Sequence, residues 1–416
     1  MKKLFTTTIL AFVLIVSSAF SNGLNLNSVG VKAAGMGGAF IGLADDYSAI
    51  FWNPAGISNI ENPQVAAYFT GVMPTATYKN SMAQIDATTE SQMFSVPGLM
   101  GYVPISSGFI TLGLGIYIPS GLGTTWNGDD LKNLSGGQSY EWMSKVGVVN
   151  ISPAVSFQLL PSLSVGAAIN INYGFLDLKK PMMATVLNRP VFGQYSESSS
   201  GWGYGLSIGA LFEPFNFLSV GATFKTANKI AFSGTAENDL LKAGLGENYK
   251  DADLERDITW PMWIGGGIAI RPLGLLTITA DVQYTGWSIL DKIHTTYTGW
   301  EAAHVTEGDM VMNWEDKMQL RFGAEVELLD FLALRAGYYF DPAPAPDETV
   351  NILFPSIDYS GPTFGLAFDF SHLTVEGSVE YLMGKERNIT TQTADNMAGV
   401  HNMNIFSFFV GFVWDL

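Results

Sequence analysis

Apolar and polar residues alternate one by one along most of the chain. In 150–159, Ile151, Pro153, Val155, Phe157 and Leu159 alternate with Asn150, Ser152, Ala154, Ser156 and Gln158. The same period recurs where Leu276, Ile278, Ala280, Val282 and Tyr284 interleave with Thr277, Thr279, Asp281 and Gln283. It returns where Leu373, Val375, Gly377, Val379 and Tyr381 interleave with Thr374, Glu376, Ser378 and Glu380. A period of two puts successive side chains on opposite faces of a β-strand. The uncharged stretches 91–128 and 146–176 are long enough for membrane helices, but Pro97, Pro104, Pro119, Pro153 and Pro161 would break them. Fourteen strands are predicted, near 64–73, 92–103, 108–118, 145–159, 162–175, 202–212, 217–230, 258–270, 275–287, 315–328, 331–340, 361–370, 373–382 and 404–415.

Two features place these strands in a membrane. Many approach the length that crosses a bilayer at a tilt, and charges keep to the alternate face, where a lumen solvates them. The connections also alternate in length. Tight turns fall at 104–107, 160–161, 213–216, 271–274, 329–330 and 371–372, whereas 119–144, 231–257 and 288–314 are long polar loops. Short turns on one side and long loops on the other suit the periplasmic and extracellular ends of an outer-membrane barrel. An open apolar edge would leave backbone groups unpaired in lipid, so the sheet must close. The expected fold class is all-β: a 14-stranded antiparallel transmembrane β-barrel over 61–416, plugged by an N-terminal hatch. Its last strand ends with Phe406, Phe408, Val410, Phe412, Trp414 and Leu416 on one apolar face.

The N-terminus supplies the other two segments. Lys2 and Lys3, the apolar run 9–16 and the small residues Ser17, Ala19 and Ser21 predict a cleaved signal peptide over 1–21. Residues 22–60 do not read as membrane strand, and 33–46 are rich in small side chains. A barrel of fourteen strands is too wide for its own side chains to fill. The segment is therefore expected inside the lumen as a hatch, with Asp45, Asp46 and Asn53 bonding to lumen-facing polar groups. A periplasmic extension is the alternative.

Composition narrows the function. Hydrophobic residues make up 47% and charged residues 14%. Without cysteine there is no disulfide framework and no thiolate metal site. Glu237, Asp239, Asp251, Asp253 and Glu255 lack EF-hand spacing, so neither metal nor cofactor is expected. A net charge of −17 argues against nucleic acid, which needs a basic surface, and suits loops among divalent-bridged lipopolysaccharide. Three of the four histidines, His294, His304 and His401, are placed in long loops and His372 in a tight turn. They form no constellation with a nucleophile, so an enzyme is not expected.

Gly37-Gly38-Ala39-Phe40, Ala44-Asp45-Asp46 and Asn53-Pro54-Ala55-Gly56 form a first group of blocks, followed by 115–126, by 260–271 with 281–287, and by Asp347-Glu348-Thr349-Val350 leading to Pro355. Together they resemble the FadL/TodX family of outer-membrane transporters for hydrophobic compounds. The resemblance implies a monomer whose hatch motif is Asp45, Asp46, Asn53, Pro54, Ala55 and Gly56. It implies passive transport of long-chain fatty acids or aromatic hydrocarbons, captured among extracellular loops and released sideways at a kinked third strand. Gly113, Gly115 and Pro119 cluster on that strand, and Gly and Pro weaken a ladder. Leu122, Trp126, Leu131 and Leu134, with Trp142, make the following loop more apolar than solvation requires, and exposed apolar patches mark binding surfaces. No cation matches the family's carboxylate partners. Lys145, Arg189, Lys225 and Arg321 are the substitutes, so a neutral hydrocarbon stays as open as a fatty acid. A general porin or adhesin-like barrel without hydrophobic specificity is the alternative.

Overall fold

Fourteen antiparallel strands close into a barrel in the computed structural model, which describes residues 23–105, 108–186 and 188–416. The expected signal peptide lies outside the described residues. The strands are β1 (Gln64–Asn80), β2 (Phe94–Ile105), β3 (Ile110–Trp126), β4 (Trp142–Leu160), β5 (Leu163–Val186), β6 (Arg189–Phe215), β7 (Leu218–Lys225 and Asn228–Asn238), β8 (Asp251–Trp260 and Trp263–Leu273), β9 (Leu276–Thr285), β10 (Lys317–Leu329), β11 (Leu332–Asp341), β12 (Tyr359–Asp369), β13 (Leu373–Gly384) and β14 (Gly399–Asp415). Each pairs with its neighbour in sequence, and β1 returns to β14 from Gln64↔Asp415 to Lys79↔Val400, which leaves the cylinder without an edge.

Side-chain parity follows the alternation. Ile278, Val282, Phe322, Leu366, Val379 and Phe406 face outward and are exposed, as lipid contact requires. Their neighbours Asp281, Gln283, Arg321, Glu325, Glu376 and Glu380 face the lumen and are buried. The final strand keeps this parity to Leu416, whose amide donates to Pro63 O at 2.8 Å.

On the long-loop side the strands run further than their apolar pattern predicts. Residues 176–201, expected as a connection, continue the β5–β6 ladder from Leu176↔Ser199 to Val186↔Arg189. The expected loops 231–257 and 288–314 likewise contain the upper parts of β7 and β8 and a hairpin, Lys292–Thr298 with Glu307–Val311. Beyond the bilayer both faces are wet or packed on other loops, so the apolar/polar signal fades while the ladder persists. His401 lies on β14 rather than in a loop, and His294 lies on a strand of that hairpin, bonded to Asp309 at 2.5 Å.

Residues 24–60 pack against the inward faces of the strands through α1 (Val31–Gly35), α2 (Ala49–Trp52) and a 3-10 turn at Pro54–Asn59. Close approach is made possible by inward-facing glycines. A Cβ on Gly221 would lie 1.9 Å from Ile41 O, one on Gly209 2.0 Å from Asn53 Oδ1, and one on Gly166 2.3 Å from Pro54 O. Real Cβ atoms do not come that near, so these wall positions need glycine.

Candidate functional site

Polar contacts from several strands tie the N-terminal segment to the wall, including those of Ser219, Thr363 and Ser378, and three further sets involve Asn53, Asp281 and Lys32. Asn53 Nδ2 donates to Ile41 O and to Ala210 O on β6, each at 3.0 Å, while its Oδ1 accepts the Ala55 N–H at 3.2 Å. Pro54 starts the 3-10 turn, where its missing N–H costs nothing. Gly56 packs on Ala44, where a Cβ would meet Ala44 O at 2.0 Å. Asp281 on β9 accepts the Ile41 N–H at 2.6 Å. The third set is ionic: Lys32 contacts Asp45 at 3.0 Å and Glu325 at 2.9 Å, and Arg335 joins Glu325 at 2.7 Å to Glu376 at 2.8 Å. Of the polar residues expected in a hatch motif, Asp45, Asp46 and Asn53, only Asn53 bonds the wall directly. Asp45 bonds Lys32, and Asp46 bonds the Ser48 N–H and hydroxyl, both within the segment. Burial, reinforced by the Glu376 charge, pushes the Asp46 carboxyl up to about 7.

The wall has a discontinuity at β3. Its register with β4 slips between Tyr117 and Ser120, around Pro119. β2 and β3 pair only from Leu99↔Ile116 to Ile105↔Ile110, yet β2 continues on β1 as far as Phe94↔Val72. Between 94–98 of β2 and the part of β3 after Ile116 no ladder joins the strands among the described residues. Further up, a Thr89↔Trp126 bridge and the Glu90 N–H to Thr125 O bond, 2.8 Å, close the wall again. The result is a window. Residues 24–26 pair with the vacated β3 edge from within: the Leu26 N–H donates to Pro119 O and the Gly121 N–H to Leu24 O, both at 3.0 Å.

A cavity of about 400 Å³ lies behind this window. Met93, Phe94 and Val96 line it on the β2 side, Ile118, Gly121 and Leu122 on the β3 side, with Leu26 and Phe409 deeper in the lumen. A smaller cavity of about 90 Å³ shares Leu26, Asn27 and Ser120 and is bounded by Phe51, Trp260, Trp263, Asn150, Asn228 and Lys225. Lys225 Nζ sits 3.3 Å from the Phe51 ring centre and 4.5 Å from that of Trp263, and among the described residues no carboxylate pairs with it. The Asn150 and Asn228 carbonyl oxygens and the Trp260 indole N–H beside it also lack partners.

The profile of the family described as outer membrane protein transport protein (OMPP1/FadL/TodX) matches residues 12–408. The chain belongs to this family. It is 25% identical over 443 residues to the long-chain fatty acid transport protein of Escherichia coli, covering 93% of this chain and 94% of the relative. With outer membrane protein P1 of Haemophilus influenzae it shares 21% identity over 98% of both chains. Among solved structures, a Pseudomonas aeruginosa FadL homologue superposes with a TM-score of 0.82 at 15% identity, covering 95% of this chain and 100% of the other. The toluene transporter TodX of Pseudomonas putida gives 0.77 at 16% identity, covering 94% and 99%. At these identities the superpositions establish the fold. The family's members are outer-membrane proteins, and this chain is an outer-membrane β-barrel.

Measured against that fold, the sequence-predicted site residues separate into two groups. Gly113, Gly115, Pro119 and Leu122 lie on β3, and Leu122 lines the 400 Å³ cavity. Trp126 and Leu131 are buried, at 3% and 0% exposure, rather than displayed to solvent; Leu134 is half-buried. They turn inward because a continuous apolar cluster at the barrel mouth, including Trp142 and Ile352, removes more apolar surface from water than an open loop does. Of the candidate cations, Lys145 lines the larger cavity and Lys225 the smaller. Arg321 also borders the smaller one but is committed to Asn27 O and Gly37 O, at 3.0 and 3.1 Å. Arg189 sits exposed at the β5–β6 tip. Alternation could not have revealed the window, but Pro119 among glycines was its local signal.

Proposed function

We propose that this barrel is a passive channel for hydrophobic small molecules, in which residues 22–60 act as a hatch and the β2–β3 window is the exit into the bilayer. The observation that carries the reading is the juxtaposition of a largely apolar cavity with a gap in the wall at the level of lipid-facing Leu99, Leu114 and Ile116. A hydrophobic solute that reaches the cavity lowers its free energy by moving sideways into hydrocarbon, at about 25 cal/mol for each Å² removed from water. No energy source is needed. A water-filled porin has no use for such a route, and the packed N-terminal segment runs counter to an open aqueous lumen.

Two ligand classes fit this arrangement. The E. coli relative is named for long-chain fatty acids and a solved structure of the fold for toluene. Here the larger cavity suits the apolar body of either. Unpaired Lys225 favours a ligand with an acidic head, since ring faces alone offset little of the cost of burying an ammonium. Capture precedes this step at the extracellular mouth, above Trp126 and Leu131, which are buried in the closed structure, and half-buried Leu134.

Deleting Pro119 removes the slipped residue and lets β3 continue straight. Cells carrying the deletion are expected to take up a radiolabelled hydrocarbon or fatty acid at least tenfold more slowly, with the barrel still heat-modifiable on gels. Undiminished uptake would overturn the lateral exit.

A further inference from the structure

The connection between β11 and β12, residues 342–358, has no regular secondary structure, yet it is one of the most buried parts of the extracellular end. Val350, Ile352, Phe354 and Ile357 are at most 3% exposed. Long irregular connections in compact proteins are most often binding loops or lids. This one crosses the mouth. Its apex docks on the far wall, where Ile352 O accepts from the Trp126 indole at 3.0 Å and from the Thr124 hydroxyl at 3.2 Å, and Leu353 O accepts from Ser144. Its two feet are held together by one side chain: the Arg387 guanidinium donates to Ala345 O at 2.8 Å, to Ser356 O at 3.0 Å and to the Asp347 carboxylate at 2.7 Å. The arm leading to the apex, Pro342-Ala343-Pro344-Ala345-Pro346, is stiffened by alternate prolines.

We infer that residues 346–357 form the extracellular lid of the cavity, hinged at the Arg387-stapled feet and opening when the apex leaves β3 and β4. Pro355 roofs the 400 Å³ cavity, so a solute arriving from outside meets this strap first. The apex hydrogen bonds part readily, because all three use backbone carbonyls of the strap, which water satisfies equally well. Buried Ile352 and Phe354, the Thr349 hydroxyl on Met312 O at 2.6 Å and the Met397 N–H on Val350 O at 2.9 Å hold the closed state. The lid's role in transport rests on the channel reading given above; its motion does not.

The chain has no cysteine, which makes a tether clean. In the double variant Ser144→Cys, Leu353→Cys, a short bis-methanethiosulfonate bridge fixes the apex to β4, and reductant releases it. Uptake of a fluorescent hydrophobic probe is expected to fall at least tenfold when bridged and to recover on reduction, with the cysteine-free protein unaffected. Equal uptake with and without the bridge would overturn the lid. If the reduced variant and the native chain both fail to raise uptake above cells lacking the protein, the channel reading fails instead. Spin labels at the same two positions then decide the lid alone: a second, longer distance on adding the probe supports it, and a single unchanged distance refutes it.

Discussion

Replacing Asn53 with alanine removes one of the contacts that hold the N-terminal segment to the wall. The substitution removes three hydrogen bonds, to Ile41 O, to Ala210 O and from Ala55 N, in a site with 0% exposure. Only the bond to Ala210 O joins segment to wall, and a typical intramolecular hydrogen bond contributes about 1 kcal/mol net, so docking loses about 1 kcal/mol. At about 1.4 kcal/mol per factor of ten, the population with the segment displaced rises roughly fivefold. The barrel ladder is untouched, so heat-modifiability on gels stays native. The assay is single-channel recording in planar bilayers, where the frequency of brief openings is expected to rise by about that factor. Asn53→Asp keeps the acceptor for Ala55 N but sets a carboxylate against two carbonyls, and should open at least as often. Unchanged opening frequencies in both variants, with folded protein, would refute the idea that Asn53 secures a hatch.

Other substitutions probe the remaining contacts. Gly221→Val drives a Cβ to within 1.9 Å of Ile41 O and is expected to lower the thermal unfolding midpoint, whereas Gly266→Ala, with no neighbour nearer than 3.9 Å, should leave it unchanged. Arg335→Met strands Glu325 and Glu376 as buried, partly compensated charges; denaturant unfolding is expected to show a loss of about 3–5 kcal/mol, much of it recovered by adding Glu376→Gln. Lys225→Met is expected to weaken binding of a carboxylate amphiphile by about 10–100-fold in calorimetry, as charged hydrogen bonds of about 1.5–3 kcal/mol imply, while leaving a neutral hydrocarbon unaffected. Equal losses for both ligands would make Lys225 a purely structural cation.

The barrel was legible because lipid imposes the period of two on every strand it touches. Ile278 and Val282 outward with Asp281 and Gln283 inward could be read off directly. Where lipid ends the constraint ends, so the upper parts of β5, β6, β7 and β8 passed as loops. The glycines facing the N-terminal segment were visible only as general glycine richness, since their purpose depends on the backbone lying opposite. Two of the three bonds of Asn53 join residues 12 and 157 positions apart, beyond any local pattern. Of the apolar residues expected in the loop after the third strand, Leu122 and Trp126 lie on the upper end of β3 itself. The burial of Trp126 under the 342–358 strap was not foreseeable, because it depends on a partner more than two hundred residues away, as the Trp126–Ile352 bond spans 226 positions.

Proteoliposomes loaded with a small entrapped dye, and supplied with a solvatochromic hydrophobic probe from outside, test the central claim in one recording. A plugged barrel that discharges sideways predicts rapid arrival of the probe in the bilayer with the dye retained. Loss of the dye at the rate of probe arrival would contradict it, because solute would then be crossing an open aqueous lumen.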